Sequence, residues 1–147
     1  MAVALFVTSC GDGGDDDTST VSTLSRAEFI KQANRACREE RAGLMKEVSE
    51  FERNRSPGKT RPYSDAVHFI YLPIMEAQIW RIGELGTPPR GDAGRIEAML
   101  DAEKFAIDEL ATTPRVPSIA AAEREFVEAD KLFRAYGLHS CAAANGA

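Results

Sequence analysis

The sequence predicts an all-α fold, an antiparallel four-helix bundle whose second helix kinks at Pro73 and which one disulfide staples. Three observations predict it. Four segments carry apolar residues at helical spacing, and breaks rich in Pro and Gly separate them. No stretch alternates with period two, and no dinucleotide reads as a hairpin turn. Cys37 and Cys141 stand towards opposite ends of the helical region, where they can join its first and last elements. With 147 residues, 44% of them hydrophobic and 28% charged, the chain has enough apolar material for one core.

The first helix begins at Leu24-Ser25-Arg26-Ala27-Glu28-Phe29. Ser25 is a cap, Glu28 completes a capping box three residues on, and Leu24 is placed to staple against Phe29. Phe29, Ala33, Cys37, Leu44, Val48 and Phe51 then form its inward stripe, while Arg35, Arg38 and Arg41 read as a solvated face. It ends near Arg53, before a loop with Ser56-Pro57-Gly58 and Pro62. That loop region carries Arg53, Arg55, Lys59 and Arg61 without interleaved aromatics, which is a solvated loop and no platform for bases.

The second helix runs from about Ser64 to Leu85, with Val67, Ile70, Tyr71, Ile74, Ile82 and Leu85 on one side. Phe69, Leu72 and Trp80 point to the other side, with Pro73 between them. Proline removes a backbone donor and crowds the carbonyl four residues back, so a kink is expected. By default that kink lets both faces pack inside; the alternative leaves Phe69, Leu72 and Trp80 as an exposed contact patch. Thr87-Pro88-Pro89-Arg90-Gly91 breaks the chain, and Asp92 caps a third helix with Ile96, Met99, Leu100, Ile107 and Leu110 inward. Pro114 and Pro117 end it. Ser118 caps a fourth helix through Ile119, Phe126, Ala129, Phe133 and Tyr136, which Gly137 closes in a left-handed C-cap with Leu138 beside it.

Ahead of residues 25–147, the bundle domain, the composition changes. Residues 1–9 form an apolar stretch, and Val7-Thr8-Ser9-Cys10 fits the lipobox of a bacterial lipoprotein signal. That resemblance implies cleavage after Ser9 and acylation of Cys10, which anchors the mature chain in a membrane. The apolar part is short and has no Lys or Arg, as expected if the true start lies upstream of Met1. Residues 10–24 read as the lipidated cysteine and a disordered acidic tether, spanning on the order of 20 Å. Asp12, Asp15, Asp16 and Asp17 hold four of the five excess negative charges, leaving residues 25–147 at −1. A near-neutral domain has no electrostatic footprint for nucleic acid.

Assigning Cys10 to lipid leaves Cys37 and Cys141 as a pair. Export to an oxidising compartment favours a disulfide between them. Ser25-Arg26-Ala27-Glu28-Phe29-Ile30 with Ala33 and Cys37, and Tyr136-Gly137-Leu138 with Cys141, resemble a group of small actinobacterial lipoproteins without an assigned activity. The resemblance implies an anchor, helices and a disulfide, and no reaction.

Chemistry is sparse. His68 and His139 are the only histidines, and no HExxH, CxxC, Walker loop, GxSxG or GxGxxG occurs. His68 and Met75 are seven residues apart on one helix and cannot clamp opposite faces of a haem. Glu76 and Glu103 lie on different helices, and a carboxylate pair there rests on their convergence. The expectation is therefore a non-enzymatic domain without cofactor or metal, held on the outer face of the cell membrane. It would bind an envelope protein through Phe69, Leu72 and Trp80 or through the basic loop of Arg53, Arg55, Lys59 and Arg61. The alternative is a carrier whose kinked helix opens a cavity lined by Tyr71, Ile74 and Met75 for a small apolar ligand.

Overall fold

The computed structural model describes residues 23–54 and 63–142. Cys10, the lipobox, nearly all of the acidic tether, and Arg55, Lys59 and Arg61 lie outside the described residues. Among those described the fold is all-helical, without strands. The order is α1 (Arg26–Arg53), α2 (Tyr63–Ala66), a π-helical turn (Val67–Tyr71), α3 (Leu72–Gly83), α4 (Ala93–Thr112), α5 (Ile119–Glu123), a 3-10 turn (Arg124–Phe126) and α6 (Val127–Tyr136). Helix α3 packs on both α1 and α4, and α4 packs on α6.

The signals at the helix ends are largely honoured. The Ser25 hydroxyl accepts from the Glu28 amide at 3.2 Å, and Leu24 packs into the same cluster as Phe29. The Glu28 carboxylate goes to Gln32 and Lys31, one turn on. Ser118 caps α5 by accepting from the Ala121 amide. Gly137 adopts φ +105°, its amide and that of Leu138 donate back to Arg134 and Phe133, and α6 closes in a Schellman turn. A Cβ at Gly137 would lie 3.3 Å from Ile30, so a side chain there is opposed by both conformation and packing.

Two expectations are corrected. Asp92 precedes α4 but its side chain caps nothing. Its carboxylate instead accepts from the Tyr136 hydroxyl at 2.9 Å and pairs with Arg26 at 3.7 Å, while Arg26 stacks over the Tyr136 ring. A partner from across the fold outcompetes the local amide. Removing it in Tyr136→Phe should cost about 1 kcal/mol in urea unfolding. Burial and the Asp92 bond push the Tyr136 hydroxyl up to about 12, from 10. The proton is thus held in the folded chain after the unfolded one has lost it, so stability falls between pH 10 and 12. Tyr136→Phe should make that fall shallower.

The second correction concerns the helix over residues 63–83. The chain meets Pro73 with a π-turn just upstream, and the Leu72 amide donates to the Val67 carbonyl five residues back. The wider turn accommodates the missing proline donor and the crowded Phe69 carbonyl. It also rephases the helix. Leu72 now stacks along its hydrogen bond above Val67, and both are buried in one cluster. The expected grouping of Leu72 with Phe69 and Trp80 therefore fails: Leu72 is 5% exposed, whereas Phe69 is 78% and Trp80 65% exposed. The default expectation, both faces packed inside, fails for these two aromatics.

The core has two clusters. One gathers Leu44, Val67, Tyr71, Leu72, Met75, Ala106, Ile107, Leu110, Ala122 and Phe126. The other gathers Phe29, Ala33, Cys37, Ile82, Ile96, Met99, Ala129, Phe133, Tyr136, Leu138 and Cys141. The 3-10 turn at Arg124–Phe126, which interrupts the expected fourth helix, falls where that segment passes from one cluster to the other.

Candidate functional site

Each helical segment carries a polar residue at or next to the change between its two cluster-forming stretches. On α1 it is Arg41, between Cys37 and Leu44; on α3 it is Gln78, between Met75 and Ile82. On α4 it is Glu103, between Met99 and Ala106, and on α6 it is Asp130, just past the change of cluster, between Ala129 and Phe133. Gln78, Glu103 and Asp130 are all buried, Glu103 completely. The Gln78 amide donates to Glu103 Oε1 at 2.7 Å and to the Cys141 carbonyl at 3.0 Å. One side chain thus ties α3 to α4 and to the tail after α6.

That tail is fastened from the other side by α1. Cys141 is bonded to Cys37, with the two Cα atoms 4.9 Å apart. Asn34 donates to the Gly137 carbonyl and accepts from the Ser140 amide. Arg38 reaches the Ser140 hydroxyl, and Arg41 donates to the Ala142 carbonyl. The stripe of α1 arginines expected to face solvent therefore supplies two of the clamps on the tail, and Arg35 pairs with Glu39. Glu39 and Glu40 in turn hold Arg81 of α3 at 2.8 and 2.9 Å.

Burial, outweighing the Gln78 hydrogen bond, pushes the Glu103 carboxyl well above its ordinary range, and the nearby Asp130 adds to the shift. The shift favours the neutral acid over the carboxylate in the folded chain. Burial likewise raises Tyr71, helped by Glu123, Asp130 and Glu103. Glu103 Oε2 and the Tyr71 hydroxyl are buried without a hydrogen-bond partner among the described residues. Tyr71, Ile74 and Met75, the expected cavity lining, do border one cavity, together with Arg41, Gln78 and Ser140. Its volume is about 20 Å³, the room of one water molecule, against about 300–1,000 Å³ for small-molecule sites. The proline that was expected to open it is accommodated by the π-turn.

Glu76 and Glu103 do not converge, since Glu76 is exposed on the outer side of α3 while Glu103 is inside. Gln78 and Asp130 escaped the sequence reading although a signal existed: each is a polar residue set within an apolar stripe. Among the described residues no group of three His, Cys, Asp or Glu side chains is arranged to hold a metal ion. Nor is any described helix long and apolar enough to cross a membrane.

The outer side of α3 is the second candidate. Trp80, with Ile79 and Glu76, borders a groove of about 520 Å³ whose other wall is Lys104, Ile107 and Asp108 of α4. Phe69 and Pro73, also exposed, lie on the same helical segment towards its start. Phe105, unremarked in the sequence, is 66% exposed on α4. The groove is an open, largely apolar surface with charges of both signs along it, suited to contact. No family model matches the chain, and no curated protein or solved structure matches it.

Proposed function

We propose that this chain is an exported, lipid-anchored domain, built as an antiparallel four-helix bundle, whose work is non-catalytic binding of protein at the cell envelope. The order in which the segments contribute to the two clusters supports the bundle. Helix α1 contributes Phe29, Ala33 and Cys37 to one cluster and then Leu44 to the other. The 63–83 segment takes them in the reverse order, α4 in the same order as α1, and the 119–136 segment in reverse again. Alternation of this kind is what up-down-up-down connectivity produces. The lipobox at Cys10 and a disulfide of a type common in oxidising compartments support export.

The observation that carries the binding role is the exposure of the chain's single tryptophan beside the α3–α4 groove. Exposed tryptophan is enriched among the residues that dominate protein interfaces. A photo-reactive residue in place of Glu76, on the groove's edge, should give a discrete protein adduct in intact cells. Trp80→Ala should abolish that adduct while leaving the chain folded. A pattern of diffuse adducts unchanged by Trp80→Ala would overturn the binding role. Export is tested separately: Cys10→Ser should move the chain out of the membrane fraction.

A further inference from the structure

Resting on that binding role, we infer that the α3–α4 groove is the contact surface for a second copy of this chain. The face holds both halves of an isologous contact. Trp80 is a projecting apolar knob, and immediately beside it lies a groove floored by Ile79 and Ile107. A two-fold axis through such a face sets the Trp80 of each copy against the groove of the other. A knob and a socket side by side on one surface are complementary to that surface itself.

The charges point the same way. Glu76 stands on the α3 wall, and Lys104 and Asp108 stand on the α4 wall. All three are exposed. A strongly basic or acidic partner would meet a like charge on one wall or the other. A second copy brings its own Lys104 to this copy's Glu76 or Asp108, and receives the reciprocal pair. Net charge does not oppose the meeting, because residues 25–147 carry only −1. Rim pairs of this sort set orientation and exclude wrong partners, while the buried indole supplies most of the affinity.

The test uses the full chain with Cys10→Ser, so that neither acylation nor a stray thiol intervenes, followed by sedimentation velocity over a wide concentration range. A reversible dimer is expected, and Trp80→Ala should weaken it about thirty-fold. Two further variants probe the charges. Lys104→Glu makes the edge wholly acidic, and Glu76→Lys with Asp108→Lys makes it wholly basic. Neither should self-associate, and their mixture should form a heterodimer at least as tight as the parent dimer. Circular dichroism checks that each variant keeps its helices. A parent chain that stays monomeric throughout overturns the inference, as does a dimer indifferent to Trp80→Ala and to both charge variants. A monomeric chain that still gives a Trp80-dependent adduct with a different protein removes the second copy and leaves the binding role standing. Loss of both the dimer and the adduct removes the two together.

Discussion

Replacing both Cys37 and Cys141 by alanine should lower the unfolding free energy by about 3–5 kcal/mol. The bridge spans 104 residues of sequence, from a point three turns into α1 to the tail beyond α6. Closing so long a loop removes much of the unfolded chain's freedom, by about 4.7 kcal/mol on the chain-entropy argument. That equals the burial of roughly two large apolar side chains, within a total stability of about 5–15 kcal/mol. The staple also determines what the tail does. Without it, residues 138–142 depend on the Asn34, Arg38, Arg41 and Gln78 hydrogen bonds, the turn that closes α6 and the burial of Leu138 and Ala142. Urea unfolding monitored by circular dichroism should therefore show a lowered midpoint. Hydrogen exchange at the Ser140 and Cys141 amides should accelerate more than at α4. An unchanged midpoint would mean that the unfolded chain is already held compact by other means.

The disulfide was legible because Cys37 lies on the inward stripe of α1 and Cys141 just beyond the last helix, and because reading Cys10 as the lipid site leaves no other pairing. The ends of the helices were legible for a related reason. Ser25, Ser118 and Gly137 act on amides and carbonyls within a few residues, so their chemistry is complete in the local sequence. Asp92 has the same local credentials and a different fate, since Tyr136 and Arg26 arrive from distant parts of the chain. The outer face of α3 was misjudged through phase. An uninterrupted helix places Leu72 on the same side as Phe69 and Trp80, whereas the π-turn at Val67–Tyr71 returns Leu72 to the core and leaves the two aromatics outside. Nothing in the spacing of apolar residues marks that one wider turn except Pro73, which also permits a simple kink. The polar residues between the two clusters were readable individually. Their meeting was not, because it requires knowing that Gln78, Glu103 and the Cys141 carbonyl stand at one level of the fold.

Glu103 provides the second large effect, in the opposite direction. A carboxyl group that is ionised in the unfolded chain but neutral when buried must take up a proton on folding. Its contribution is therefore most favourable at or below the ordinary value of 4.5 and worsens as pH rises towards the raised folded value. Glu103→Gln keeps the shape, still accepts from Gln78 through Oε1, and has no proton to acquire. The variant should be more stable than the parent by on the order of 1–3 kcal/mol near pH 7, since each pH unit over which only the folded parent keeps its proton costs the parent about 1.4 kcal/mol. The gain should shrink towards zero near pH 4.5, where the parent carboxyl is already largely protonated in both states. Thermal unfolding of the two proteins across that range separates this account from one in which Glu103 is ionised and paired inside the fold. Loss of a buried ion pair would make Glu103→Gln destabilising at pH 7, with a penalty that fades on acidification. The sign of the difference near neutrality thus decides whether the centre of this fold holds a neutral hydrogen-bonded acid or a charge. A neutral acid leaves Glu103 Oε2, buried without a hydrogen-bond partner among the described residues, at far lower desolvation cost than a carboxylate would.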